Sequence, residues 1–130
     1  ALLAKMRPGL VQLEIGVQST NLQTLEAVRR HTNLDKLRHA VVRIHSEYNI
    51  HVHLDLIAGL PYEDMGSFIR SFNDVYSMRP QQLQLGFLKV LKGSYLEEMA
   101  QTYGIVYQNC PPYEVLYTKW LSYGDIIRFP

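Results

Sequence analysis

Polar side chains that could bind a ligand recur on one side of three short segments of this sequence. The set comprises two carboxylates, two histidines and four glutamines: Glu14, Asp55, His51, His53, Gln12, Gln18, Gln82 and Gln84. Burying such groups without partners would cost roughly 1 to 3 kcal/mol for each unsatisfied group. We therefore expect this side of the molecule to face water or a polar ligand.

Two histidines and an aspartate alternate along one of these segments, as His51, His53 and Asp55. Alternating residues of a strand share a face, and this set could bind zinc or a similar metal, as in barrel hydrolases. A barrel metallohydrolase is therefore one alternative function. Against it, the sequence offers no obvious further ligands, and both histidines precede the carboxyl end of the predicted strand. We predict no metal ligand in this chain.

The elements that position these residues follow from the spacing of apolar side chains. Alternation with period two predicts strands near residues 11–17, 51–58 and 82–91. Steps of three and four residues between them predict amphipathic helices. The helical apolar positions are Leu22, Leu25 and Val28, then Leu34, Leu37, Val41, Ile44 and Tyr48, then Phe68, Ile69, Phe72, Val75 and Tyr76. Strands alternating with helices predict an α/β fold with a parallel sheet.

Antiparallel strands with one solvated face would show the same alternation, but the long intervening helices favour the parallel arrangement. Three parallel strands are too few to close a barrel. With helices outside and polar faces inside, we expect a curved sheet whose sites lie at the carboxyl ends of its strands. Asn21 and Ser94 are predicted helix starts, and Ser19 is predicted to help cap the first of those helices.

Length and composition describe an ordinary globular chain. It has 130 residues, 47% of them hydrophobic and 19% charged, with a net charge of +1 that does not indicate a nucleic-acid or membrane partner. No signal peptide or long apolar run is visible, and Cys110 is the single cysteine, so we predict a cytoplasmic protein. The chain ends suggest an internal fragment. We predict a barrel part over residues 1–108 and a C-terminal extension over 109–130, helical around 116–127.

Two motifs, in order, carry a resemblance to a known family. Glu14-Ile15-Gly16-Val17-Gln18-Ser19 has the pattern Glu-x-Gly-x-Gln-Ser, and Asp55-Leu56-Ile57-Ala58-Gly59-Leu60-Pro61 has the pattern Asp-x-Ile-x-Gly-Leu-Pro. The series resembles the radical S-adenosylmethionine (SAM) superfamily, in the branch with oxygen-independent coproporphyrinogen oxidases and tRNA methylthiotransferases. It is most similar there to enzymes with a cobalamin-binding domain, of the magnesium-protoporphyrin IX monomethyl ester cyclase-like type.

The resemblance implies that this chain is the later half of a partial (β/α) TIM-like barrel, and it implies particular cofactor contacts. Glu14, Gln18 and Asp55 would hydrogen-bond SAM, and Ile57 would pack on its adenine. Arg30, twelve residues after Gln18, would engage the methionine carboxylate, with its neighbour Arg29 as the rival. A guanidinium can pair with a carboxylate through two hydrogen bonds, while carboxylates and amides accept from hydroxyl and amino groups. None of these residues is predicted to be catalytic.

The sequence departs from the family in lacking the Cys-x3-Cys-x2-Cys loop that holds a [4Fe–4S] cluster. The resemblance implies that the parent protein is an oxidoreductase that reductively cleaves SAM to a deoxyadenosyl radical, with flavodoxin or ferredoxin as reductant and a small molecule as substrate. A cobalamin is a further possible cofactor of the parent. The fragment alone is expected to be inactive. A non-catalytic interaction module remains the other alternative.

Overall fold

A computed structural model describes residues 2–47 and 50–129 of the chain. Tyr48, which the sequence placed at the end of the second helix, lies outside the described residues. The described elements are a 3-10 turn over Leu3–Lys5, strands β1 (Gln12–Gln18), β2 (His51–Ala58), β3 (Gln82–Phe87), β4 (Val106–Tyr107) and β5 (Val115–Tyr117), and helices α1 (Leu22–Ala27), α2 (Leu34–Glu47), α3 (Met65–Tyr76), α4 (Tyr95–Met99) and α5 (Tyr123–Ile126).

Strands β1, β2 and β3 form one parallel sheet with β2 at its centre. The predicted α/β fold is thereby confirmed. Apolar side chains of β2 are the centre of the main core, because Val52, Leu54 and Leu56 have no exposed surface. Helices α2 and α3 cover this face through residues such as Val41 and Val75. Each fully buried aliphatic side chain contributes about 1.5 to 3 kcal/mol to folding.

A second apolar cluster lies beyond the carboxyl ends of the strands. It joins residues that follow β2 and β3 to the last third of the chain: Leu60, Leu88, Val90, Ala100, Tyr103, Ile105, Val115, Leu121 and Ile126. The backbone at Gly59 lies close to this cluster, because a Cβ there would come within 2.8 Å of Val115 Cγ1. Gly59 also has φ +97°, a conformation that favours glycine. Residues on both sides of the predicted boundary at 108/109 share this cluster, and the domain division stays a prediction.

The last described residue ties two layers together. The ring of Phe129 packs edge-on against Phe68 of α3, with centroids 4.8 Å apart, and against Phe87 of β3, at 5.9 Å. Edge-to-face pairs of this kind are a favourable aromatic geometry. The end of the described chain is therefore part of the main core.

The predicted long C-terminal helix is wrong. Between residues 116 and 127 the structure has the end of β5, a turn, and the four-residue helix α5. The hydroxyl of Thr118 accepts hydrogen bonds from the backbone N–H of Trp120 and Leu121, both at 3.1 Å. Such local bonds offer the backbone an alternative to a helix, and β5 pairs with β4 instead.

Smaller differences concern strand ends. β1 extends through Gln18, and β3 ends at Phe87 rather than near residue 91. Lys89, beyond β3, forms an isolated antiparallel bridge with Glu114. None of the helices in the described part of the chain is long and apolar enough to cross a membrane.

Candidate functional site

The carboxyl ends of β1 and β2 bring three of the predicted binding residues to Gly16. Gly16 is the register partner of Asp55 across the sheet. A guanidinium nitrogen of Arg30, Nη2, donates to the carbonyl oxygen of Gly16. A Cβ at Gly16 would lie 3.4 Å from that nitrogen and 3.6 Å from both carboxylate oxygens of Asp55. A Cβ here would be in ordinary contact with both groups, so an acid and a base lie beside the same point of the backbone.

Gln18 joins this group through an unusual backbone turn. The register of β1 and β2 shifts between Gly16 and Gln18, and Gln18 has φ 69°. The N–H of Ser19 donates to the carbonyl of Val17 at 2.9 Å, which closes a three-residue turn around Gln18. Turns of this type with positive φ are rare and strained, at about 1 to 3 kcal/mol for a residue other than glycine. Strain of this kind clusters at functional sites.

The turn aims the backbone of Gln18 at Asp55. The N–H of Gln18 donates to Asp55 Oδ1 at 3.3 Å. Bulges at the ends of strands often re-aim groups next to a site. Gln18 and Asp55 are thus brought together as predicted, with the backbone N–H of Gln18 as the contacting group.

Arg30 and Arg29, which the sequence left as rivals, take different directions. Arg30 reaches the end of β1, and its Nε is buried without a hydrogen-bond partner. The guanidinium of Arg29 lies over the ring of Tyr95, 3.8 Å from the centroid. Arg30 is therefore the arginine that lies at the end of β1, and its role in binding a ligand stays a prediction.

Glu14 stands apart from this group. It is exposed, its register partner on β2 is His53, and it accepts a hydrogen bond from Gln12 Nε2 at 3.3 Å. It shares the polar face with Gly16 but lies two residues nearer the start of the strand. Its polar surroundings are therefore open to water in the described structure.

Ile57 lies on β2 two residues beyond Asp55, so the two side chains share a face. It is half-buried and packs against the second apolar cluster. An apolar side chain at this position forms a wall beside the polar group at Gly16.

The geometry does not favour the metal alternative. In residues 2–47 and 50–129, no three histidine, cysteine, aspartate or glutamate side chains come together in a way that could hold a metal ion. The side chain of His53 instead interacts with Gln12, with His53 Nδ1 3.2 Å from Gln12 Nε2. His51, His53 and Asp55 are thus alternate residues of a strand without further ligands.

A buried acid that sequence reasoning missed lies behind the site. Glu63 has no exposed surface, accepts from the Ser19 hydroxyl at 2.5 Å and from the Ser67 hydroxyl at 3.4 Å, and leaves Oε1 without a partner. Burial raises the pKa of the Glu63 carboxyl above its ordinary value of 4.5, although its hydroxyl partners oppose the shift. A sequence signal for Glu63 existed, because two acidic residues precede α3. Only Asp64 caps that helix, which leaves Glu63 without a capping role.

The caps differ in part from the prediction. Asn21 begins α1, with its side chain accepting from the N–H of Gln23 and Thr24, and Ser94 begins α4, as expected. Ser19 is not the cap of α1. Its hydroxyl is buried, accepts from the N–H of Asn21 at 3.0 Å and donates to Glu63.

Comparison with known proteins supports the fold. Coproporphyrinogen III oxidase (HemN) from Escherichia coli, described as a radical SAM enzyme, has a similar structure over 64% of this chain, with a TM-score of 0.60 and 24% sequence identity. The similarity covers 19% of that enzyme, so this chain spans only a small part of its length. The parallel sheet with helices is therefore like part of the TIM-like barrel of HemN.

Two further comparisons say less. A family model described as "Protein of unknown function (DUF4080)" matches residues 101–129, which include β4, β5 and α5. A search of curated proteins found no match. The family match thus lies within the last third of the chain, whereas the structural similarity extends over 64% of it.

Proposed function

We propose that this chain is the SAM-binding part of a radical SAM iron–sulfur oxidoreductase. The observation that carries the proposal is the convergence of Arg30, Asp55 and the Gln18 turn on Gly16, at the carboxyl ends of neighbouring parallel strands. Ligands of such folds bind at these ends. The structural similarity to part of a radical SAM enzyme supports the same proposal.

The residues at the strand ends fit the groups that SAM presents. Arg30 offers a buried, unpaired Nε to the carboxylate of the methionine part. Asp55, which accepts one backbone N–H, keeps further acceptor capacity for ribose hydroxyls or the amino group. Ile57 provides an apolar surface for the adenine ring.

Glu14 and the side chain of Gln18 complete the proposed contact set. Both lie on the polar face of β1 or in the turn that ends it. Glu14 reaches SAM only if the cofactor extends along the strand toward Gln12, because its present partner is that residue. We therefore assign it the weakest contribution of the set.

An iron–sulfur cluster does not fit this chain. Cys110, the single cysteine, is exposed and lies in a turn far from the sequence motifs of the site. A cluster held elsewhere in the protein would supply the electron that cleaves bound SAM into methionine and a deoxyadenosyl radical. The residues of this chain would bind and orient SAM, and we expect no cleavage by the chain alone. A ferredoxin or flavodoxin reductant and a cobalamin domain stay predictions.

The test is anaerobic reconstitution of the full-length protein that contains this chain with iron and sulfide, followed by electron paramagnetic resonance with and without SAM. We expect a reduced-cluster signal that changes when SAM is added. Arg30→Ala and Asp55→Ala should each weaken SAM binding about 10- to 100-fold, the worth of a charge-assisted hydrogen bond.

Arg29→Ala is the matched control, because it removes a neighbouring guanidinium that lies over Tyr95 instead of the strand end. Equal iron content in all variants must be shown first. A protein that takes up no cluster, or whose SAM affinity falls with Arg29→Ala and not with Arg30→Ala, would refute the assignment.

A further inference from the structure

The strained turn at Gln18 needs support from its surroundings, because such conformations persist only where other contacts fix them. On the site side, the turn contacts Asp55 through the N–H of Gln18. On the opposite side, the next residue, Ser19, has no exposed surface. The turn therefore lies between the partly exposed candidate site and the buried interior of the protein.

The interior contact of the turn is a carboxyl group. The Ser19 hydroxyl donates to Glu63 Oε2 at 2.5 Å, over a separation of 44 residues in the chain. The same hydroxyl accepts from the N–H of Asn21 at 3.0 Å, and Asn21 is the N-cap of α1. Ser67, in the first turn of α3, donates to Glu63 at 3.4 Å. Ser19 and Glu63 together thus link the end of β1, the start of α1 and the start of α3.

Neighbouring hydroxyls extend this network. The Ser71 hydroxyl lies 3.3 Å from that of Ser19 and accepts from the N–H of Thr20 at 3.0 Å. Thr24, also fully buried, donates to the carbonyl of Pro61 at 2.7 Å. Groups of the α1 cap, the loop before α3 and α3 itself therefore fix the two residues that follow Gln18.

Glu63 has no cationic partner in this network. The charged group that acts on it is Asp64, whose like charge disfavours ionisation, and its other neighbours are the hydroxyls of Ser19, Thr24 and Ser67. Burying a carboxyl in such surroundings is costly, and its one free oxygen increases that cost. A buried acid kept at this cost is better explained by the geometry that it fixes than by net stability.

We propose that Glu63 is a positioning residue that holds the Gln18 turn in its binding geometry through Ser19. The proposal rests on the proposed function, because the geometry that matters is that of the SAM site. Glu63 does not contact the cofactor. It fixes where the N–H of Gln18, and with it Asp55, stand relative to Arg30.

The test compares Glu63→Ala, Glu63→Gln and Ser19→Ala in the reconstituted full-length protein. SAM affinity is measured by equilibrium dialysis, and backbone mobility by hydrogen exchange of the peptide that covers residues 17–24. We expect Glu63→Ala and Ser19→Ala to speed exchange in this peptide and to weaken SAM binding about tenfold or more, because misplaced binding groups lose affinity steeply. Glu63→Gln keeps an acceptor for Ser19 and should stay within about threefold of the wild type.

Leu121→Ala is the control for a general loss of stability, because Leu121 is buried and belongs to the second apolar cluster, which contains none of residues 17–24. It should lower the unfolding midpoint without changing exchange at residues 17–24. Should Glu63→Ala fail to fold, Ser19→Ala and Glu63→Gln still test the linkage.

The inference is overturned if folded Glu63→Ala or Ser19→Ala binds SAM as the wild type does, or if Glu63→Gln is as defective as Glu63→Ala. Failure of the wild type itself to bind SAM would instead refute the proposed function. In that case faster exchange in Glu63→Ala would still establish that Glu63 holds the turn, and the two failures remain distinct.

Discussion

Asp55 and Glu63 contact neighbouring residues of the same turn, but one is partly exposed and the other is buried. Asp55 is half-buried at the strand end and keeps free acceptor capacity, whereas Glu63 is fully enclosed among hydroxyls. Only one peptide bond separates the residues that they contact, Gln18 and Ser19. Successive residues of a strand face opposite sides, so Gln18 meets the open site and Ser19 meets the interior. The difference teaches that a ligand can contact the Asp55 side of the turn, whereas the Glu63 side supports the turn from within.

Substitution at Gly16, on the Asp55 side of the turn, should weaken SAM binding more than the other changes predicted below. A Cβ there lies 3.4 to 3.6 Å from Arg30 and Asp55, which is ordinary contact, so Gly16→Ala should be tolerated. Gly16→Val adds two methyl groups with no room between these side chains, and SAM affinity should fall about 100-fold, or about 2.7 kcal/mol. Equilibrium dialysis on the reconstituted protein measures the effect. Equal affinities for the alanine and valine variants would contradict this geometry.

Glu63, on the interior side of the turn, should make the stability of the protein depend on pH. Because the folded-state pKa of Glu63 is raised above its ordinary value of 4.5, its contribution to stability is fully present below that value and is lost as pH rises through the folded-state pKa. The wild type should therefore lose stability relative to Glu63→Gln as pH rises from about 4.5. Urea unfolding of both proteins between pH 4.5 and 8 measures the difference. A difference that is constant, or that grows in the opposite direction, would show that Glu63 is not the titrating group.

The smallest effect is expected at Glu14, which is exposed and contacts Gln12. Glu14→Gln should weaken SAM binding by about threefold or less, since exposed polar contacts contribute little. Asp55→Asn, the matched change at the strand end, should cost more. Titration of SAM into both variants decides the order, and equal losses would place Glu14 inside the site.

Much of the barrel part was readable from the sequence, because alternation along β2 and helical spacing in α3 report which faces are buried. The polar face of β1 and β2 was predicted for the same reason. The choice between Arg29 and Arg30 was not readable, since neighbouring side chains in a turn can point either way. In the structure, Arg30 contacts the carbonyl of Gly16, whereas Arg29 lies over the ring of Tyr95.

The sequence predicted neither the burial of Glu63 nor the structure of the C-terminal segment, and both failures have physical reasons. The burial of Glu63 depends on hydroxyls far away in the chain, such as Ser19, and local spacing carries no trace of them. Strands β4 and β5 have two and three residues, too few to show a period. The aromatic residues around Trp120 suggested a helix, but Trp120 packs beside Tyr62 and Tyr103.

The position of Phe129 has a practical consequence for anyone who shortens this chain. Its ring packs edge-on against both Phe68 and Phe87, so Phe129 belongs to the packed interior. A chain cut before Phe129 would expose part of both rings and should be more prone to aggregation.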